Sequence, residues 1–205
     1  MRRRPPPTLQ CVVETRLPTD FGEFTLRAYT SDGSSSPHLA LFRDFAEPTG
    51  APLVRIHSEC MTGEVFSSQR CDCGIQLAAS LEAIAAEGAG VLVYLRQEGR
   101  GIGLLNKLQA YRLQDAGLDT IQANLRLGFG ADQREYGAAV AILEDLGVRA
   151  IRLLTNNPAK IAAFDGSPIA VEARVPLVVP ATEHNRDYLA VKRLQMGHLL
   201  EEAGE

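Results

Sequence analysis

The residues best suited to chemistry lie between Arg55 and Gln76, in the run Arg-Ile-His-Ser-Glu-Cys-Met-Thr-Gly-Glu-Val-Phe-Ser-Ser-Gln-Arg-Cys-Asp-Cys-Gly-Ile-Gln. Three of the chain's four cysteines, Cys60, Cys71 and Cys73, fall inside it, interleaved with charged groups that an apolar core would not select. A Cys-x-Cys pair with a third cysteine upstream offers three soft ligands. Thiolates of this kind suit Zn²⁺, and three of them leave one tetrahedral position for water. The competing readings are reduced cysteines packed around a turn and a disulfide. His57 is near enough in sequence to be a fourth ligand, and on a strand period it shares parity with Arg55 and Glu59. A Cys₃ site open to water makes these three neighbours substrate or proton-transfer groups, whereas a Cys₃His site is closed and structural. Spacing leaves both open. A zinc knuckle that reads nucleic acid wants a basic surround, and here Glu59, Glu64 and Asp72 offset Arg55 and Arg70.

Other patches could serve an anionic substrate. Arg96-Gln-Glu-Gly-Arg-Gly-Ile-Gly103 follows a strand-like run and carries Gly99, Gly101 and Gly103 at alternate positions. Such a loop can expose backbone N–H groups, and Arg100 adds a fork-shaped donor for phosphate. It matches neither the Walker A nor the dinucleotide-binding glycine pattern, and a tight structural turn is the other reading. Glu98 offers a carboxylate able to accept from a purine's ring N–H and exocyclic amine. Asp132-Gln-Arg-Glu135 has the spacing of a capping box, which puts Arg134 in a first helical turn where it would meet an anion; the alternative is an exposed arginine held by its neighbours. Thr155-Asn-Asn-Pro-Ala-Lys160 sets a hydroxyl, two amides and a lysine at a strand end and helix start. Tyr111, four residues beyond Lys107 on a helix, is either an active-site phenol or a packing residue. Together these patches fit a nucleotide hydrolase better than any one does.

The elements that must position them follow from period and punctuation. Residues 1–8 read as a basic, proline-rich tail. Strands are expected at Cys11–Arg16, Glu23–Tyr29, His38–Arg43 and Leu53–His57, with Cys11 a small buried hydrophobe. Turns are expected at Ser31–Pro37 and Pro48–Pro52. Ile75–Glu87 reads as a helix ended by Gly88, Val91–Leu95 as an interior parallel strand, and Leu104–Ala116 as a helix stopped by Gly117. The capping box opens a helix through Leu146, Ala150–Leu154 is a strand, and Asn157-Pro158 starts another helix. A strand at Ile169–Glu172 and a helix from Glu183 to Leu200 complete the pass. The fold class expected is α/β (mixed α+β): an N-terminal, mostly antiparallel β portion packed with a mixed β-sheet flanked by helices. Residues 9–200 read as one domain, followed by a short tail at 201–205.

Composition narrows the class. The 205 residues are 45% hydrophobic and 22% charged, ordinary for a globular domain. A net charge of -4 gives no global basic field for nucleic acid. No apolar run approaches the length of a membrane span. The start, Met1-Arg-Arg-Arg-Pro-Pro-Pro, lacks the apolar core of a secretory signal, so a cytoplasmic location with reduced thiols is expected.

The assembled motifs resemble the GTP cyclohydrolase II family, the enzymes that open riboflavin synthesis. The resemblance is carried by Arg55-Ile-His-Ser-Glu-Cys, Arg70-Cys-Asp-Cys-Gly, Arg96-Gln-Glu-Gly-Arg-Gly-Ile-Gly-Leu-Leu-Asn-Lys, Gly128-Phe-Gly-Ala-Asp-Gln-Arg, Leu153-Leu-Thr-Asn-Asn-Pro-Ala-Lys and Met196-Gly-His, over roughly residues 10–200. It implies that Cys60, Cys71 and Cys73 bind one catalytic zinc per subunit with water in the fourth place. By the same resemblance Arg55, Ile56, His57, Ser58, Glu59, Gln76, Glu98, Gly99, Arg100, Thr120, Thr155 and Lys160 match GTP contacts. Asp132 matches the proton acceptor, Arg134 the group assigned as nucleophile toward the α-phosphorus, and Tyr111 the active-site tyrosine. It further implies Mg²⁺ with the triphosphate and a homodimer, while the acidic charge balance and the lack of a membrane-length apolar run point to neither nucleic acid nor membrane as partner. The length leaves no room for the dihydroxybutanone phosphate synthase domain fused to some members, so the monofunctional form is expected. Two other readings stand beside it: a diverged member that stops at the formamide or takes another purine nucleotide, and a non-catalytic zinc protein that binds nucleotide or RNA.

Overall fold

Aliphatic runs of five or six residues alternate with amphipathic stretches through the second half of the chain, and this alternation builds a parallel layer onto an antiparallel one. A computed structural model describes residues 9–31, 36–43, 50–130, 132–179 and the positions 197 and 199. Its strands are β1 (Gln10–Thr19), β2 (Gly22–Thr30), β3 (His38–Arg43), β4 (Leu53–Ser58), β5 (Gly90–Leu95), β6 (Ala150–Leu154) and β7 (Ala170–Val175). They form one sheet in the order β1-β2-β3-β5-β4-β6-β7. Pairing is antiparallel from β1 to β5 and parallel among β5, β4, β6 and β7. The two expected portions therefore meet within a single mixed sheet.

The helices are α1 (Met61–Glu64), α2 (Cys73–Glu87), α3 (Leu104–Asp115), α4 (Thr120–Arg126), α5 (Gly137–Asp145) and α6 (Pro158–Ala162), with a 3₁₀ turn at Glu98–Gly101. Side chains alternate across the central strands and both faces are covered. Val54, Ile56, Val91, Val93 and Leu95 pack with Ala139, Ile142 and Leu143 of α5. Leu53 and Leu92 pack on the opposite side with Leu81 and Ile84 of α2. Gly88 ends α2 in the left-handed region at φ 76°, and Asn157 caps α6 by accepting from the Ala159 N–H at 2.9 Å, with Pro158 in the first turn. No helix among the described residues is long and apolar enough to cross a membrane.

The structure corrects three sequence expectations. Cys11 is exposed, because β1 is an edge strand whose residues from Gln10 to Arg16 face solvent on both sides. The Asp132 capping box does not form, and α5 begins only at Gly137. Asp132 Oδ1 instead accepts from the Arg134 N–H at 3.0 Å, while the Glu135 N–H that a box requires goes to Gln97 Oε1 at 3.3 Å. Arg134 thus sits in an irregular segment, outside any helical turn. Helix α4 was not anticipated, although Asp119-Thr-Ile-Gln122 carries the signature: the Asp119 carboxylate accepts from the Gln122 N–H at 2.8 Å and the Gln122 amide accepts from the Asp119 N–H at 3.1 Å. The tails at 1–8 and 201–205, the helix expected at Glu183–Leu200, most of the Met196-Gly-His motif, and parts of the Ser31–Pro37 and Pro48–Pro52 turns lie outside the described residues.

Candidate metal and nucleotide site

β5 and β6 flank β4, so the direction of the sheet's winding changes at β4. In open parallel sheets a crevice forms outside the carboxyl ends of strands at such a point. Three loops leave there: residues 59–72 after β4, residues 96–103 after β5, and Thr155–Asn157 after β6. The Glu59 N–H donates to the Leu95 carbonyl at 2.9 Å, extending the β4–β5 ladder into the first loop.

That loop brings the sulfurs together. The single turn of α1 hangs on the Cys60 carbonyl, which accepts from the Gly63 and Glu64 N–H groups at 3.0 and 2.9 Å. Cys71 and Cys73 stand at the start of α2. The Sγ atoms of Cys60, Cys71 and Cys73 all lie within 4.8 Å of one another. Cys60 and Cys71 are 3.6 Å apart, far beyond the roughly 2.05 Å of a disulfide and close to an edge of a tetrahedron with metal–sulfur bonds of about 2.3 Å. Two glycines allow this approach. A Cβ on Gly63 would lie 2.8 Å from Cys71 Sγ, and one on Gly74 would lie 2.3 Å from the Gly63 carbonyl oxygen. The donor set and its cradle fit a thiophilic divalent ion such as zinc, and the disulfide reading fails.

His57 takes another role from that of a fourth ligand. Its Nε2 is 2.8 Å from Glu64 Oε1, which also accepts from the Cys60 N–H at 2.8 Å, while Glu64 Oε2 accepts from Tyr94 Oη at 2.5 Å. The ring stacks on Tyr94 and only 2% of the residue is exposed. His57 thus braces the loop from beneath, and the cysteine group stands as three sulfurs. Burial, outweighing the Glu64 contact, lowers the imidazole to about 4, so it is neutral near pH 7. The Cys60 thiol is held well below its usual range by hydrogen bonds from Cys71 and Cys73, aided by the Lys107 ammonium; Cys71 is pushed up by the same contact with Cys60.

Above the sulfurs opens a cavity of about 690 Å³. Of the residues singled out from the sequence, Ser58, Glu59, the three cysteines, Glu98, Gly99, Arg100, Tyr111, Thr120 and Arg134 line it. Arg55, Ile56, His57, Gln76, Asp132, Thr155 and Lys160 do not. Arg55 is buried and donates to the Leu154 carbonyl at 3.0 Å and to Gln76 Oε1 at 2.7 Å; burial lowers it to about 10. Lys160 Nζ donates to the Ile56 carbonyl at 2.7 Å, and Thr155 Oγ1 accepts from the Asn157 N–H at 3.0 Å. These residues form a polar layer under the crevice. Asp132 reaches the cavity through Arg134, accepting from its guanidinium at 2.9 and 2.5 Å. Burial raises the Asp132 carboxyl, but these bonds outweigh it and leave the group below its usual range.

The glycine loop is a tight turn. Gly99 and Arg100 adopt left-handed φ values of 62° and 61°. The N–H groups of Gly99, Gly101, Ile102 and Gly103 are all taken up inside the loop, so these four do not form an exposed backbone cradle, and the loop presents the Arg100 side chain to the cavity. Glu98 is likewise engaged at both oxygens: Oε1 accepts from Gly99 N–H and Lys107 Nζ at 2.6 and 2.8 Å, and Oε2 from Met61 N–H at 2.7 Å. Tyr111 lies on the cavity wall with its Oη 3.4 Å from Thr62 Oγ1 and the Arg70 guanidinium 4.8 Å from its ring centre. Burial raises its phenol, which keeps its proton. Sequence reasoning missed Lys107, Thr62 and Gln97 as members of the site. Lys107 stands one turn before Tyr111, a spacing that places both on one helix face and was a usable signal.

Two measurements probe this arrangement. Between His57 at about 4 in the fold and about 6.5 unfolded, the unfolded chain binds the additional proton. Its contribution is therefore complete above pH 6.5 and is lost as pH falls toward 4. In chelator-treated protein, urea unfolding should show His57→Gln losing about 2 kcal/mol less than the parent chain between pH 7 and 4.5; equal losses would show that His57 is not the buried neutral group. Gly63→Ala should drive a methyl into the sulfur triad. Inductively coupled plasma mass spectrometry should find its zinc content reduced at least tenfold, against a thermal midpoint lowered by only a few degrees.

Comparison with known proteins accords with this geometry. A family model described as GTP cyclohydrolase II matches residues 10–176. The GTP cyclohydrolase-2 of Azotobacter vinelandii is 54% identical over 189 residues, spanning 92% of this chain and 91% of that protein. The riboflavin biosynthesis protein RibBA of Bacillus cereus (strain B4264) is 56% identical over 189 residues, spanning 92% of this chain and 47% of that protein. Among solved structures, RibBX of A. baumannii, a two-domain 3,4-dihydroxy-2-butanone 4-phosphate synthase, aligns with a TM-score of 0.50 at 23% identity, covering 84% of this chain and 41% of its own; this shows a shared fold. With its three-cysteine loop, glycine turn and most of its length matched, the chain is an enzyme belonging to the GTP cyclohydrolase II family.

Proposed function

We propose that the protein hydrolyses GTP as the first step of riboflavin biosynthesis, opening the imidazole ring at C8. Formate and diphosphate leave, giving 2,5-diamino-6-(5-phosphoribosylamino)pyrimidin-4(3H)-one. The observation that carries this reading is the convergence of three sulfurs at the floor of a cavity walled by Arg100, Arg134 and Tyr111. Cys60, Cys71 and Cys73 would hold one zinc ion per chain. Zinc held there supplies Lewis acidity and brings water into ionisation near neutral pH, as hydrolysis at the electron-poor C8 requires.

The chain's own residues divide the remaining work. Tyr111 Oη keeps its proton and can donate it to a ring nitrogen as the C8–N bond opens. Ser58, Glu59, Glu98, Gly99 and Thr120 hold the nucleoside, and Arg100 and Arg134 face the triphosphate, whose remaining charge Mg²⁺ offsets. Arg55, Ile56, His57, Gln76, Thr155 and Lys160 belong to the substrate set by family likeness. Since their polar groups already bond to one another and to strand carbonyls, they contribute chiefly by fixing the floor. Arg134 acts as a clamp on the α-phosphate. A guanidinium bound in a two-pronged ion pair to Asp132 stays protonated and has no lone pair to offer phosphorus. Asp132 orients it and can accept the proton of the water that attacks. The working form is a homodimer.

Purified protein given GTP and Mg²⁺ should yield formate and diphosphate in equal amounts, identified by mass. Intact GTP would overturn the proposal, and a retained formyl group would select an enzyme that stops at the formamide. Arg134→Met should lower diphosphate release roughly 10²–10³-fold in folded protein, and rapid quench of the parent enzyme should trap no phosphoryl-arginine. A trapped adduct would replace the clamp with covalent catalysis.

A further inference from the structure

Lys107 is 8% exposed, on the face of α3 turned toward the sulfurs. Its Nζ donates to Glu98 Oε1 at 2.8 Å and to Cys60 Sγ at 3.1 Å, and lies 5.8 Å from the centre of the Tyr111 ring. A buried ammonium needs a counter-ion, and Glu98 alone would serve for that. The second contact needs a separate explanation, because it aims a cation at one chosen sulfur from a different helix. Glu98 also accepts from Met61 N–H, directly after Cys60. One carboxylate thus fixes the ammonium and the backbone of the cysteine loop together.

We propose that Lys107 is a positioning residue of the metal centre, holding a charge-assisted hydrogen bond on the Cys60 thiolate with Glu98 as its aligning partner. The inference rests on the zinc reading above. Three thiolates on a divalent ion leave one excess negative charge in a partly buried site, and an ammonium hydrogen-bonded to one sulfur offsets it. Partners of this kind fix ligand orientation, and their removal typically weakens metal binding about 10–100-fold. The same bond lowers the energy of the sulfur lone pair, leaving the metal more electron-poor.

Cobalt(II) is the probe, since a thiolate ligand gives it a sulfur-to-metal charge-transfer band. Wild-type protein should bind one cobalt per chain with this band. In Lys107→Met the band should move to longer wavelength, and competition with a chromophoric chelator should show zinc affinity about 10–100-fold weaker. Lys107→Arg, which keeps a charged donor, should restore most of both. Lys107→Gln is the second variant should the methionine protein fail to fold, with the band expected between methionine and wild type. A folded Lys107→Met or Lys107→Gln protein with an unmoved band overturns the proposal, even where its thermal midpoint falls, because packing alone would not shift that transition. Absence of the band in wild-type protein would instead remove the three-thiolate reading, and this inference with it.

Discussion

The parallel pairing of β4 with β5 is the constraint on which the site depends. Its register runs from Leu53 opposite Gly90 to Ser58 opposite Leu95, so both strands end together and their loops leave side by side. The same register fixes parity. Val54 and Ile56 enter the core shared with α5, and Arg55 and His57 face the other side, where Gln76 and Glu64 receive them. A slip by one residue would exchange these sets, placing a guanidinium and an imidazole among aliphatic side chains. Gly90 reinforces the register, because a Cβ there would come within 2.5 Å of the Leu53 carbonyl oxygen.

Two buried carboxylates convert this geometry into a rigid loop. Glu64 gathers His57, Tyr94 and the Cys60 N–H, while Glu98 gathers Lys107 and the N–H groups of Met61 and Gly99. Each therefore serves backbone groups that would otherwise be buried without a partner, as well as side chains from neighbouring elements. The Cys60 and Met61 N–H groups flank the Cys60 side chain, so the first sulfur is held from both peptide directions. Gly63 and Gly74 supply the matching absence of bulk on the side of Cys71 and Cys73.

How much of this was legible in the sequence depends on the range of the interaction. Period and punctuation were sufficient for the central strands and for α2 and α3, whose ends are set locally by Gly88 and Gly117. The sulfur triad was legible because its three cysteines are close in the chain. Failures came mostly where another group took up a donor that the local pattern had assigned elsewhere. Asp132 lost its helix cap because Gln97, from the loop after β5, takes the Glu135 N–H. The glycine loop lost its open cradle because Glu98 and the carbonyls of Gln97 and Gly99 take its N–H groups. Cys11 was misplaced because strand period says nothing of whether a strand lies at an edge. His57 stayed ambiguous because its partner, Glu64, is seven residues away and only the turn at α1 brings them together.

A chain with a net charge of -4 gives no sign of the cations gathered at this cavity. The cavity carries Arg70, Lys107, Arg100 and Arg134 against Glu59, Glu98 and Asp119. These charges are not evenly mixed. Lys107 is paired with Glu98 beside the sulfurs, and Arg70 is tied to Asp115 at 2.5 Å while its guanidinium faces Tyr111. Both are therefore engaged at the sulfur end of the cavity. Arg134, held by Asp132, and Arg100 stand together on the cavity wall, and their fields act over the few ångströms within which partial burial limits screening. Local arrangement, not net charge, is what lets an acidic protein present a cationic wall.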